Sequence, residues 1–397
     1  ALYPAGITPE TFSLPCGELD DLAVISYTSG TSSSPKGVML TAKSLSANVE
    51  IARVLVPMAV SSPDATLSIL PLAHIFGLAF DFLFMASCGC HINIFTEKPV
   101  PARLLKALGE VKPFIFLTVP LLIEKIFRSK VIPTLRKPVM KFLLAIPGVR
   151  QLIFRKVRNT IIDTFGGNLA KAGFFIGGAA ISNDVDKVMK KIKIPYAVGY
   201  GMTECGPLIS YVASAHPSID DIGGVAKPTI ELRIDSDRPN KIPGEIRGDV
   251  VTKGYYNNEE ATRNAFTRDG WLKTGDMGTQ DRRGTVYIKG RCKNMILTGS
   301  GQNIYPEEIE EMINQIPGVV ESLVVGRNHA IIALIVVDTE VAKREKLSLE
   351  ALQETINENV IALNKNLPPY SQIGRCEFRT EPFEKTPKLS IKRFMYN

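Results

Sequence analysis

Short apolar runs, each closed by turn-forming residues, divide this chain into a succession of buried elements. Leu22-Ala23-Val24-Ile25-Ser26-Tyr27 ends in a Ser/Thr/Gly-rich loop, the pattern of a buried strand. A helix is expected over 44–56, with strands at 66–70 and 114–119, the second stopped by Pro120. Phe174-Phe175-Ile176 runs into Gly177-Gly178, again a strand entering a tight turn. The apolar stretch 75–95 carries Asp81 and His91, so it reads as a buried helix and strand and not as a membrane span. Strand, loop and helix in this rhythm predict α/β layers that bind ligands at strand ends.

The rhythm changes at about 222–288, where short strands alternate with turns such as Pro243-Gly244-Glu245 and Asp269-Gly270-Trp271; a β-rich subdomain is expected there. A boundary near Gly290-Arg291 divides an N-terminal domain, 1–290, from a C-terminal domain, 291–397. The second domain opens a helix at Pro306-Glu307-Glu308 and continues with apolar runs at 322–325 and 331–337. About a hundred residues of this pattern suit a small α+β domain.

Composition narrows the classes. With 397 residues, 45% hydrophobic and 22% charged, the chain is globular and longer than one ordinary domain, which excludes disorder, collagen and coiled coil. Six cysteines without a CxxC pair and four histidines without an HExxH pattern argue against a zinc cluster or a disulfide framework; a reducing cytosol, hence a cytoplasmic location, fits. Ala1-Leu2-Tyr3-Pro4 has neither the basic region nor the apolar core of a signal peptide, and the missing initiator Met suggests a processed or truncated chain.

The net charge of +7 is not spread evenly. Ten Lys and Arg residues, and no Asp or Glu, lie between Lys125 and Arg158; outside that window the balance is −3. Apolar Phe127, Leu143, Leu152 and Phe154 interleave with them, as on amphipathic helices at an anionic membrane surface. A solvated basic face, or contact with the phosphates of an anionic ligand, is the plainer reading of the same residues. No nucleic-acid reading motif accompanies the strip.

The strongest chemical signal is Tyr27-Thr28-Ser29-Gly30-Thr31-Ser32-Ser33-Ser34-Pro35-Lys36-Gly37. Hydroxyls and backbone N–H groups in such a loop donate to phosphate oxygens, and Lys36 adds positive charge. No Ser or Thr follows the lysine, so this is not a Walker A loop. The segment resembles the phosphate loop of the adenylate-forming superfamily of acyl-CoA synthetases, luciferases and peptide-synthetase adenylation domains. Further motifs of that family follow in order: Gly199-Tyr200-Gly201-Met202-Thr203-Glu204, Trp271-Leu272-Lys273-Thr274-Gly275-Asp276, Gly290-Arg291-Cys292-Lys293-Asn294 and Ile304-Tyr305-Pro306-Glu307-Glu308-Ile309-Glu310. Pro71-Leu72-Ala73-His74 and Gly206-Pro207 resemble the long-chain fatty acid–CoA ligases most.

The resemblance implies a layered α/β N-terminal region, a β-rich subdomain and a small mobile α+β C-terminal domain. It implies ATP, Mg²⁺ and CoA as cofactors and a fatty acid as substrate, activated to acyl-AMP and passed to the CoA thiol. Thr28, Ser29, Gly30 and Thr31 would then bind phosphates with Lys36. Tyr200 and Gly201 would flank adenine, Thr203 would bond phosphate, and Glu204 would hold Mg²⁺. Asp276 suits the ribose hydroxyls because an ionised carboxylate only accepts, and Arg291 the ribose or phosphate side. Gly177, Gly178 and Ala179 would line the acyl and adenine pocket with His74 near its mouth, Lys293 would be the domain hinge, and Gly301 would border the pantetheine route. Transfer to an acyl carrier protein, or noncatalytic binding of acyl groups and nucleotide, are the alternatives.

Two features depart from the family pattern. The C-terminal run Thr386-Pro387-Lys388-Leu389-Ser390-Ile391-Lys392-Arg393 has Ser390 where the family places a lysine, leaving Lys388 and Lys392 as substitutes on the same face of an extended strand. Only 26 residues precede Tyr27, where the family carries a much longer segment, so a truncated or shortened member is expected.

Overall fold

The computed structural model describes residues 17–28, 35–55, 64–97, 101–170, 172–213, 224–225, 231–248, 252–297, 302–327, 330–385 and 391–396. Its main sheet orders five strands: Ile115–Thr118, Gly173–Gly177, Tyr196–Gly201, Leu208–Ala213 and Gly224–Val225. The first three are parallel and the last two join antiparallel. Ile115–Leu117 and Phe174–Ile176 are apolar without a break because both faces of these strands are covered. Phe116, Phe174 and Ile176 enter one core with Phe165 and Phe127, while Leu117 and Phe175 enter another with Phe80 and Phe84. Edge-to-face packing of Phe165 on Phe174, with centroids 5.0 Å apart, ties the 147–164 helix to the sheet. A parallel pair, Ala65–Ser68 with His91–Ile94, adjoins this sheet through a bond from the Phe114 N–H to the Ala65 carbonyl.

The 75–95 stretch forms a buried helix, Gly77–Phe84 continuing into Met85–Ser87, followed by the strand His91–Ile94. The phosphate-loop region differs from the expected strand–loop–helix. Leu22–Thr28 turns back into a second strand, Lys36–Thr41, before the helix Ala42–Leu55 begins. Val38 and Leu40 make this second strand: they share one face and are fully buried.

Leu232–Asp235, Gly244–Gly248, Leu272–Gln280 and Val286–Arg291 form an antiparallel four-stranded sheet within the region read as β-rich. One strand of that region goes elsewhere. Thr252–Tyr255 pairs with Lys36–Thr41, completing a three-stranded sheet with the phosphate-loop hairpin.

After Arg291 the chain builds the sheet Val319–Arg327, Ala330–Val337 and Ile373–Arg379, backed by helices Pro306–Ile313, Thr339–Glu345 and Leu349–Asn364. Asp338 and Ser348 cap the last two helices, accepting from Val341 and Ala351 N–H groups. Ile309, Val324, Ile335 and Ile356 lie in one separate core.

Candidate active site

The parallel strands release their chains at one edge. Ser68 leads to the turn Pro71–His74, Gly177 to Gly178-Ala179, and Gly201 to Met202-Thr203-Glu204. This carboxyl edge is where open α/β sheets bind ligands.

Tyr200, at the end of its strand, donates its hydroxyl to Asp276 Oδ2 at 2.7 Å. Arg291 Nε meets Asp276 Oδ1 at 2.8 Å, the two residues being direct partners in the antiparallel ladder. Thr274 supports the group: its hydroxyl accepts from the Asp276 N–H at 3.1 Å. Asp276 is buried, and this burial raises its pKa against the opposing pull of Arg291 and the Tyr200 hydrogen bond. Burial, with the charge of Asp276, holds the Tyr200 phenol well above its ordinary value, so it stays a donor. Each carboxylate oxygen keeps a further lone pair, the acceptor capacity a sugar diol needs.

Three and four residues on, Thr203 and Glu204 are buried in a single 3₁₀ turn. Glu204 Oε1 accepts from the Tyr255 hydroxyl at 2.8 Å, and Lys36 places its ammonium 4.8 Å from the centre of the Tyr255 ring. Burial and the neighbouring Glu204 carboxylate raise the Tyr255 pKa. Thr28 and Lys36 face each other across the mouth of the hairpin. Lys36, Tyr255 and Glu204 thus form a second cluster, joined to the first by the chain from Tyr200 to Glu204.

Asn48 holds this turn in place. Its side chain donates to the carbonyls of Ser44 at 2.9 Å and Cys205 at 3.1 Å, and accepts from the Leu208 N–H at 2.9 Å. Gly201 is needed for the close return of the chain, since a Cβ there would lie 1.9 Å from the Pro207 carbonyl oxygen. Gly177 is buried beneath Phe76, whose ring would stand 2.9 Å from a Cβ, while Gly178 and Ala179 are exposed. His74 lies half-buried in a turn whose Ala73 carbonyl accepts from the Ser26 hydroxyl at 3.5 Å.

Six residues from four distant segments therefore converge: Lys36, Tyr200, Glu204, Tyr255, Asp276 and Arg291. Lys293 is exposed just beyond Arg291. Lys392 pairs with Glu384 at 3.7 Å in the C-terminal domain, and among the described residues no hydrogen bond or ion pair joins it to Asp276 or Glu204. Ser29, Gly30, Thr31, Gly301, Lys388 and Ser390 lie outside the described residues.

Sequence reasoning missed Tyr255 and Asn48. Nothing local marks Tyr255, because its place depends on a strand pairing far along the chain. Asn48 did carry a signal, an amide in the middle of a helical pattern, where Asn is disfavoured unless its side chain has work elsewhere.

Residues 8–256 match the family described as AMP-binding enzyme, and residues 293–396 match the AMP-binding enzyme C-terminal domain. Similar proteins include the long-chain-fatty-acid–CoA ligase FadD15 of Mycobacterium tuberculosis, 31% identical over 81% of this chain and 55% of its own length. Another is the peroxisomal long chain acyl-CoA synthetase 7 of Arabidopsis thaliana, 31% identical over 94% of this chain and 59% of its own. The chain thus spans somewhat more than half the length of the curated relatives it matches. Among solved structures, ATP-bound MatB from Rhodopseudomonas palustris superposes with a TM-score of 0.73 at 25% identity, covering 97% of this chain and 69% of that one. O-succinylbenzoate coenzyme A synthetase (MenE) from Bacillus subtilis, in complex with ATP and magnesium ion, gives 0.73 at 21% identity over 95% and 70%.

Proposed function

Because this chain belongs to the AMP-binding enzyme family, we propose that its site serves an AMP-forming acid–thiol ligase acting on long-chain fatty acids. The observation that supports this most is the convergence of the Tyr200–Asp276–Arg291 and Lys36–Tyr255–Glu204 clusters at the carboxyl edge of one sheet. A fatty carboxylate oxygen attacks the α-phosphorus of ATP, the bond to the β-phosphate bridge oxygen breaks, and pyrophosphate leaves. The CoA sulfur then attacks the acyl carbon of the adenylate, its proton passes to solvent, and AMP departs. Neither step needs an enzyme nucleophile; the protein supplies orientation and charge neutralisation.

In this reading Asp276 and Arg291 hold the ribose, Tyr200 flanks adenine and fixes Asp276, and Thr28 with Lys36 and the loop 29–31 meets the phosphates. Among the described residues no group of three His, Cys, Asp or Glu side chains forms a metal cage. A lone buried carboxylate, Glu204, fits Mg²⁺, which keeps waters and is shared with substrate phosphates. When bound, the ion neutralises phosphate charge. Lys293 serves as the hinge, and Lys388 or Lys392 replaces the family lysine at Ser390. Names of relatives support the long-chain acid, and such a substrate would draw the protein to membrane surfaces as a peripheral, cytoplasm-facing enzyme.

ATP–pyrophosphate exchange and AMP release, measured across carboxylic acids of increasing length, test the reading. The expected result is exchange stimulated by long-chain acids, with AMP release requiring CoA. Exchange with short or aryl acids alone would reject the long-chain assignment. AMP release with acyl carrier protein in place of CoA would reassign the acceptor. Ser390 favours a noncatalytic binding protein as the second reading, which binding of nucleotide without any exchange would establish.

A further inference from the structure

From Ile132 onward the basic strip forms the helices Ile132–Arg136, Pro138–Ala145 and Pro147–Thr164. Pro138 and Pro147 force the residues before them, Lys137 and Ile146, out of the helical region, to ψ of 141° and 114°. The middle helix buries none of its residues and lies against the long helix that follows. Val139 and Phe142 are 73% and 71% exposed, three residues apart on one edge of this helix, and Ile146, 41% exposed, follows at its end. Leu152, 67% exposed on the next helix, stands beside Arg155 and Lys156 by the same spacing.

The charge around this apolar edge is of one sign. Arg128 is taken up internally by Asp184 at 3.0 Å. Among the described residues, Lys137, Lys141, Arg150, Arg155 and Lys156 are exposed and enter no ion pair. A second copy of the chain would bring the same positive strip against this one and be repelled. Nucleic acid would satisfy the cations but offer Val139, Ile146 and Leu152 no apolar phase. An anionic bilayer meets both requirements, with headgroups for the lysines and arginines and acyl chains for Val139 and Phe142.

We propose that the Pro138–Ala145 helix and the Leu152 turn insert into the surface of an anionic lipid bilayer. The inserted edge is apolar and the flanking bases bind lipid phosphates or carboxylates. The docking needs neither nucleotide nor turnover, and together with the ligase reading it would place the site where fatty acids dissolve.

Flotation of the full chain without nucleotide, on phosphatidylcholine vesicles with and without about one third phosphatidylserine, tests the proposal. Binding is expected only with phosphatidylserine and is lost at high salt. Lys137→Glu with Lys141→Glu should weaken it about fivefold or more per charge, at unchanged circular dichroism. Val139→Ala with Phe142→Ala should weaken it about tenfold at unchanged salt dependence. The absence of binding at low salt, equal binding to neutral vesicles, or full binding by the Val139/Phe142 variant would overturn it. So would a concentration-dependent dimer dispersed by that variant in a protein that ignores vesicles. Because activity is never read, a failed ligase assay leaves this outcome unaffected.

Discussion

Asp276 shows how one residue can be pulled in two directions. Burial favours its neutral form and Arg291 its ionised form, and the net pKa lies above the ordinary carboxylate value. Under the proposed role the ionised form receives the ribose, so nucleotide affinity should fall as pH drops through that raised pKa. Arg291→Met removes the opposing pull, moves the pKa further up, and should shift the loss of affinity to higher pH, read by calorimetric titration with AMP. Asp276→Asn should cost roughly tenfold to a hundredfold in affinity, the worth of a hydrogen bond to a charged group. Asp81 presents the simpler case. It is fully buried, accepts from the Ser68 hydroxyl at 3.1 Å, and its Oδ1 has no hydrogen-bond partner among the described residues. Burial raises its pKa from 3.8 to about 7. The native state therefore holds this proton more tightly than the unfolded chain, so the group's contribution to stability is largest at low pH. It declines as pH rises through that interval, by about 4 kcal/mol at the upper bound. Asp81→Asn should flatten that decline, measured as the difference between wild-type and variant urea midpoints across pH.

At the scale of elements, the site depends on chain segments being held where local sequence would not keep them. The turn 203–208 borrows its order from Asn48 in the helix Ala42–Leu55. Asn48→Ala leaves the buried Leu208 N–H and Cys205 carbonyl without their partner and should cost about 2 kcal/mol of stability. Because Glu204 sits in that turn, magnesium-dependent nucleotide binding should weaken with it. Asn48→Asp keeps the acceptor for Leu208, loses both donated bonds and buries a charge, so it should be no better tolerated than alanine. The strand Thr252–Tyr255 offers a milder perturbation. Tyr255→Phe preserves the ring beneath Lys36 and removes only the hydroxyl on Glu204. Its expected effect is a change in metal dependence with a stability loss of about 1–2 kcal/mol, from the hydrogen bond removed at the buried carboxylate.

Over the whole molecule, ion pairs among the described residues cross the domain boundary. Lys289 pairs with Glu308 at 3.0 Å, and Asp276 with Arg291 at 2.8 Å. Within the C-terminal domain, by contrast, Arg393 pairs with the buried Glu310 at 2.8 Å and donates to the Val324 carbonyl, fastening the chain end to the first helix. Burial raises the Glu310 pKa to about 7 against the pull of Arg393. Arg393→Ala should therefore destabilise this domain by about 3 kcal/mol, the cost of breaking a buried pair, seen as earlier unfolding of the C-terminal amides in hydrogen exchange. Lys293→Pro restricts φ at the proposed hinge and should leave pyrophosphate exchange intact while slowing CoA-dependent AMP release. The parallel strands, the glycine turns and the ordered motifs were legible in the sequence because each is a local pattern of apolar runs and small residues. The divided charge was legible too, since it needs only counting. Three things were not. The hairpin partner of Leu22–Thr28, the return of Thr252–Tyr255 to that hairpin, and the service of Asn48 to a distant turn all arise from pairings between segments far apart in the chain. Local propensity identifies the elements; which edge each strand joins, and so which side chains meet at Glu204 and Asp276, is decided by the global burial of apolar faces and the satisfaction of backbone hydrogen bonds.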